Sequence, residues 1–562
     1  MSNRRFIKNA AFLFVSMAIT KIVGALFKIP LANLLGGTGM GYFSTAYGLY
    51  SPIFAITAAG IPTAIMRTTA RCAACDNLCR AAAVRKYAIV LFSAIGLIGT
   101  TLIALLAQPF ANYIAGSPKS VMAIICIAPA VTLCCIASVF RGYREGLSDV
   151  RPSASASVAE AISRAVFGLS LSYAAVYYAQ NAFYSGKNVF GVSCSTIEQA
   201  YNASLPYAAA GAILAVSISE GFGLLTLLLL EHKSKNKPSL PKNCEYSVRE
   251  IWSSLMKETL PLSASALVMN CMSFADLLTV TRAISSSIEQ NKEFYTLNFG
   301  AISEQCGGFS ELANFMYGSY TGIATSLFML IPSFAGMAST AAAPEIAAAW
   351  EKKDVKLIAQ KISLQIKTST LIACPACFGA AALAEPILNL LYKSRSAEVS
   401  ICVNSFIILC LGGLFMVISS ALFGIFQSIG KPYIPLTLMI FSVLLKFILN
   451  PVLILIPELN ISGAALSSVI GYMFTAFFGL LALKRQFPQK TGLLKAIMPN
   501  LINGIICGIF AKIIYESLKN SLNGLFSVGI SVISGVVVCA ILTILSHIIC
   551  TNAIINKKNE KK

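Results

Sequence analysis

Long hydrophobic runs separated by short polar turns fill this chain from end to end. Fourteen runs have the length of a membrane-crossing helix, over residues 9–34, 41–66, 87–108, 120–140, 153–179, 207–230, 255–280, 319–340, 368–390, 400–423, 433–456, 461–483, 494–515 and 525–550. About 20 apolar residues span a bilayer core as a helix. The runs lack the ten-residue alternation of barrel strands, so they predict an all-α polytopic membrane protein. One plan occurs twice. SVFRGYREGLSDVRPSASASVAEAISRAV (138–166) ends one hydrophobic run in a Gly-containing polar turn, passes Pro152 and enters a run carrying Arg164. SALFGIFQSIGKPYIPLTLMIFSVLLKFI (420–448) does the same 282 positions later, so that Gly142 matches Gly424, Glu145 matches Gln427 and Arg164 matches Lys446. The pattern predicts two pseudo-symmetric six-helix lobes, 1–230 and 255–483. A cytoplasmic linker at 231–254 joins them, and 484–562 adds two further helices and a basic tail.

The runs also set how composition is read. Charged residues are 12% of the 562 and the mean hydropathy is +0.74, against about 25% charged in a soluble domain. The net charge of +20 suggests nucleic acid until its placement is considered. With Arg4, Arg5 and Lys8 in the cytoplasm, that side also receives Arg67, Arg71, Arg80, Arg85, Lys86, Lys233, Lys235, Lys237, Lys242, Lys484, Arg485, Lys490 and the lysines of the tail. Opposite loops hold little beyond Lys119, Lys187, Lys292, Lys393, Arg395 and Lys519. This is the positive-inside asymmetry, with both termini cytoplasmic. Basicity is then a matter of topology and lipid headgroups, and no nucleic-acid partner is expected. The first run is too long for a cleaved signal peptide and lacks a small-residue cleavage site.

Seventeen cysteines are scattered, many within hydrophobic runs where they act as small apolar residues. Cys72, Cys75 and Cys79 have metal-like spacing but no histidine nearby, and only His232 and His547 exist. Neither a metal site nor a catalytic residue is predicted. A Gly-rich phosphate loop ending in Lys-Ser/Thr is missing, which argues against ATP hydrolysis.

Polar residues deep in the runs are the candidate chemistry, because intramembrane charge is expensive. Lys21 and Lys28 stand two helical turns apart on one face. Glu160 and Arg164 are four apart and can pair with each other or serve a cavity. Glu220 lies between Gly211 and Gly223. Asn270 and Asp276 lie in the seventh run, followed by Arg282, before a long outer loop at 284–318. Arg141, Arg144 and Glu145 form the turn of the first plan and are candidates for a cytoplasmic gate. Pro52 and Pro62 in the second run, and Pro332 and Pro344 in the eighth, permit kinks.

The stretch KIVGALFKIPLANLLGGTGMGYFSTAYGLYSPIFAITAAGIPTAI resembles the stage V sporulation protein B type of oligosaccharide flippase. So do RGYREGLSDVRP, YGSYTGIATSLFMLIPS with the later PEI, QSIGKPYIP and LKFILNPVLILIPELNISGAALSSVIGY. That family belongs to the multidrug/oligosaccharidyl-lipid/polysaccharide (MOP) exporter superfamily and is related to lipid II flippases. The resemblance implies two six-helix bundles in a V and alternating access that carries a lipid-linked sugar outward. It also implies two C-terminal helices that, in lipid II flippases, form a groove able to hold a lipid tail. A diphosphate would then meet Lys21, Lys28, Arg164, Arg282 and Lys446, and sugar hydroxyls Asn270. Related lipid II flippases place arginines on the first helix, where this chain has Lys21 and Lys28 at a different spacing. Glu160, Glu220 and Asp276 are candidates for ion coupling, to Na+ or H+, with the membrane potential as a further drive. No cofactor is implied. The expected partners are the lipid-linked oligosaccharide, membrane lipids and cell-wall synthesis proteins, and the expected state is a monomer in the bacterial cytoplasmic membrane. A cation-coupled multidrug exporter of the same superfamily and a non-transporting scaffold of envelope assembly are the competing readings. The excess of deep cations over deep acids argues against both.

Overall fold

The computed structural model describes residues 3–75, 77–233, 247–487 and 492–559. Most of the predicted 231–254 linker, including Lys235, Lys237, Lys242 and Cys244, lies outside the described residues, as do Lys490, Lys561 and Lys562. Everything regular is helical. The helices are α1 (Asn3–Thr57), α2 (Ile61–Ala74), α3 (Leu78–Pro109), α4 (Val121–Gly146), α5 (Arg151–Tyr184), α6 (Ile197–Lys233), α7 (Val248–Gln290), α8 (Lys292–Cys306) and α9 (Phe309–Ser319). They continue with α10 (Ser326–Phe328), α11 (Leu330–Glu351), α12 (Val355–Ala382), α13 (Ala384–Leu391), α14 (Ser396–Ser428), α15 (Tyr433–Ile454), α16 (Ser462–Gln486), α17 (Leu493–Leu518) and α18 (Gly524–Asn559). Two π-helical stretches, Phe110–Ile114 and Tyr320–Thr325, extend α3 and α9. Among the described residues the sole β feature is one antiparallel bridge between Val189 and Val192.

Among the described residues ten helices are long and apolar enough to cross a membrane, or twelve if two bent pairs each count once. The expected turn at GGTGMG is a break at Gly36, whose φ of 60° and ψ of −171° leave the helical region. Glycine takes up that conformation without the Cβ penalty. The second predicted run is interrupted between α1 and α2, and Pro62 there begins a helix instead of kinking one. Proline suits the first turn because the N–H it lacks would have no helical partner. The stretch expected as an outer loop, 284–318, is mostly helix: the end of α7, then α8 and α9. The run at 368–390 is bent by 78° between α12 and α13.

The chain forms two compact units, Met1–Gly322 and Ile323–Lys562. In the first, α4 packs on α2, α3 and α6, α5 packs on α6, and α1 lies along α5. In the second, α14 packs on α11, α12 and α16, α15 packs on α16, and α17 lies against α12 and α18. Small residues set the approach, as expected where lipid removes the hydrophobic drive between helices. A Cβ on Gly142 would lie 2.5 Å from the Pro62 carbonyl oxygen of α2. The matching Gly424 faces α11 with more room, its Cβ position 3.1 Å from Ser339 Oγ. The core of the second unit runs through Ile358, Ile362 and Ile366 of α12 and Ile418, Leu422 and Ile425 of α14. The cysteines whose side chains are described are free thiols; of these Cys75 is exposed and the rest are buried or half-buried.

Candidate functional site

The middle of α5 carries two charges one turn apart, and neither satisfies the other. Arg164 Nη2 lies 3.3 Å from Glu220 Oε1 of α6, and its Nε donates to Ser219 Oγ at 3.2 Å. Glu160 pairs with Arg141 of α4. The i, i+4 pair that the spacing permits is thus replaced by two cross-helix pairs. Gly223 explains part of this, because the Glu160 carboxylate occupies the space that a Cβ at 223 would need. Both glutamates are buried, at 8% exposure, while the Arg164 side chain keeps 32%. Two carboxylates therefore fix two guanidinium groups, and Arg164, at 32%, keeps more of its side chain exposed than Arg141, at 21%.

Helix α1 brings further polar groups. A Cβ at Gly168, one turn beyond Arg164, would lie 2.6 Å from the Phe27 ring, so glycine lets α1 close on α5 here. Lys21 and Lys28 are exposed, and Lys28 lies within reach of the charges of Arg164 and Lys21. Tyr47 and Tyr50 likewise stand in the field of Arg164. They belong to a ring ladder on α1, with centroids 5.0 Å apart for Phe43–Tyr47, 6.0 Å for Tyr47–Tyr50 and 5.5 Å for Tyr50–Phe54. Sequence reasoning missed Tyr47, Tyr50 and Ser219, and noted Gly223 only as a neighbour of Glu220. Hydroxyl-bearing rings three apart within a membrane run were the available signal for the tyrosines. Nothing local announced Ser219 or Gly223, whose value depends on α5.

The other candidates lie elsewhere. Arg282 is exposed and donates to the carbonyl of Tyr113, in the π-helical end of α3. Asn270 ties α7 to α1, accepting from Ser51 Oγ at 2.7 Å while donating to Ala266 O. Asp276, on the same helix, acts electrostatically on Tyr317. Arg144 lies 3.6 Å from Asp149, and Glu145 accepts from Ser153 Oγ, so these two brace the α4–α5 turn. Lys446 belongs to the second unit and is 2% exposed. The structure thus brings together Lys21, Lys28, Arg141, Glu160, Arg164 and Glu220, with four basic and two acidic groups. A net-positive cluster with an Arg fork suits an oxyanion, which accepts short charge-assisted bonds.

The chain is similar to known proteins along most of its length. A family model described as "Lipid II flippase MurJ" matches residues 311–547, and one described as "Polysaccharide biosynthesis protein" matches residues 6–197. Stage V sporulation protein B of Bacillus subtilis (strain 168) is 22% identical over 92% of this chain and 91% of its own length. Lipid II flippase MurJ of the same strain is 22% identical over 91% of this chain and 88% of its own. A solved structure of lipid II flippase MurJ in an inward closed conformation superposes with a TM-score of 0.66 at 14% identity, covering 95% of this chain and 98% of that one. The arrangement of helices is therefore shared, and over most of its length the chain is similar to stage V sporulation protein B and to lipid II flippase MurJ.

Proposed function

We propose that this protein is a flippase, a transporter and not an enzyme, that moves a polyprenyl-pyrophosphate-linked oligosaccharide across the bacterial cytoplasmic membrane. A lipid II-like peptidoglycan precursor is the favoured cargo, for cell-wall or sporulation use. The observation that carries the proposal is Arg164, held by Glu220 and Ser219 and still partly exposed, with Lys28 nearby. A diphosphate headgroup cannot enter hydrocarbon without partners for its charge. Here it meets an oriented guanidinium, an ammonium group and the ring ladder of α1, while the prenyl tail stays in lipid. Similarity to lipid II flippase MurJ supports the same class of cargo.

The cycle is alternating access between lobes 1–230 and 255–483, with 484–562 appended. Support comes from the like packing order of α2, α3, α4, α6 and of α11, α12, α14, α16 in the two units. Fourteen crossings result if Val15–Ala74 crosses twice and α5 once, beside the other runs and the two bent pairs. Glu220 is the favoured coupling group because it shares Arg164 with the cargo. A diphosphate that takes Arg164 leaves Glu220 open to H+ or Na+, and the membrane potential adds about 2.3 kcal/mol per charge per 100 mV.

The test is lipid II translocation in proteoliposomes, read with a headgroup probe, with and without an imposed potential. Potential-dependent flipping that disappears in Arg164→Ala supports the proposal. Folded protein that flips no lipid II excludes that cargo and turns the assay to other polyprenyl-linked glycans. Glu220→Gln should bind cargo yet lose the dependence on potential or ion gradient.

A further inference from the structure

Residues 43–57 of α1 present three unlike faces. Ser44, Gly48 and Ser51 form one. Ser44 Oγ and Thr321 Oγ1 share a hydrogen bond at 2.7 Å, Gly48 sits against Leu277 of α7, and Ser51 donates to Asn270 of α7. Ile53 and Thr57 form a second face, against Gly99 of α3. The third carries Phe43, Tyr47, Tyr50 and Phe54, at the i, i+4, i+7, i+11 spacing of one helix stripe. On this side Tyr47 and Tyr50 meet the charges of Arg164 and Glu220. The four rings differ in exposure. Phe43 and Tyr50 are buried, at 5% and 7%, whereas Tyr47 and Phe54 are half-buried. Tyr50 braces both open rings, edge-on to Tyr47 at 85° and stacked with Phe54 at 25°. Tyr47 and Phe54 are two helical turns apart, about 10 Å along the axis.

We infer that Tyr47 and Phe54 are a stacking platform for the sugar rings of the cargo, and that they make the protein select a glycan headgroup over a bare diphosphate. The inference rests on the proposed diphosphate site at Arg164 and adds the part of that site that reads the sugar. A pyranose ring turns a face of C–H groups outward, which fits the negative face of an aromatic ring. Its hydroxyls point sideways and stay free for water. With the diphosphate on Arg164, whose charge reaches Tyr47, the first sugar meets Tyr47 and the next extends toward Phe54. A lipophilic cation also favours aromatic faces, but the guanidinium of Arg164 opposes one here.

Native mass spectrometry of the full-length protein tests it, with undecaprenyl diphosphate and the same lipid bearing a disaccharide. The disaccharide lipid should be retained about tenfold better, a difference of about 1.4 kcal/mol. Tyr47→Leu with Phe54→Leu should remove that preference, and Tyr47→Trp should keep it. If the double variant does not fold, Tyr47→Leu alone should lower the preference. Arg164→Ala should weaken retention of both lipids, which tests the diphosphate site separately. Equal retention of the two lipids by the parent protein, or an undiminished preference in a folded leucine variant, would overturn the inference and leave the role of Arg164 intact. Retention of both lipids that Arg164→Ala leaves unchanged would overturn the two together, since the sugar reaches the rings from that anchor. Tetraphenylphosphonium that binds the parent protein and is lost with the same two rings would give the platform to cations, and the inference would fall.

Discussion

Arg164 and Lys446 occupy matching places in the two halves of the sequence and unlike places in the structure. Arg164 is bridged to Glu220 and Ser219 and keeps about a third of its side chain exposed. Lys446 is 2% exposed. It shares the α15 face of Ser442, which donates to the Gly471 carbonyl at 2.7 Å, and of Asn450, which accepts from the Ser467 hydroxyl. That face is sealed against α16. A partly exposed cation can exchange a carboxylate for an incoming phosphate. A sealed one fixes the packing of its own helices, and removing it leaves buried groups unmatched. Position in a repeat therefore places a charge at a depth, and the surrounding helices decide its work.

The comparison breaks most readily at Arg164. Arg164→Ala should lower lipid II flipping at least about tenfold, since a hydrogen bond to a charged group contributes about 1.5–3 kcal/mol, with insertion and melting temperature near those of the parent. Arg164→Lys should recover only part, because a point charge cannot hold both Ser219 and Glu220. Next comes Lys446→Ala, which should destabilise the detergent-solubilised protein by about 3–5 kcal/mol. A Lys446→Ala protein of unchanged melting temperature that no longer flips lipid would put Lys446 on the cargo path and erase the contrast. Gly223→Ala should displace Glu160 from Arg141 at a cost of about 1–3 kcal/mol. In a thermal-melting cycle its effect should be less than additive with Glu160→Gln, as for residues in one network. The smallest contrast is between Gly142→Ala, expected to cost about 1–3 kcal/mol against the Pro62 carbonyl, and Gly424→Ala, expected to cost less because a serine hydroxyl can turn away. Equal losses at the two glycines would show that the halves pack more alike than their sequences.

Hydrophobic run length made the helical class legible, and the deep cations gave the anion-binding theme. The pairing did not follow. Glu160 and Arg164 read as partners because spacing on one helix is visible in sequence, whereas Arg141 and Glu220 approach only after α4 and α6 are packed beside α5. Arg282 looked intramembrane from its place at the end of a run, yet it serves the π-helical end of α3. Pro62 read as a kink because sequence does not reveal that α1 stops at Thr57. Buried exposure, which separates Lys446 from Arg164, is a property of neighbours and has no local signature.

The cysteine distribution carries an experimental consequence. Of the described thiols, Cys75 at the end of α2 is the one fully open to reagent. Together with Cys244 and Cys550, whose side chains lie outside those described, it should stay untouched by membrane-impermeant maleimide in intact cells and react once the cells are opened. The protein thus brings its own fluorophore attachment point, on the turn joining α2 to α3. Sidedness and motion can be followed there once Cys244 and Cys550 are replaced.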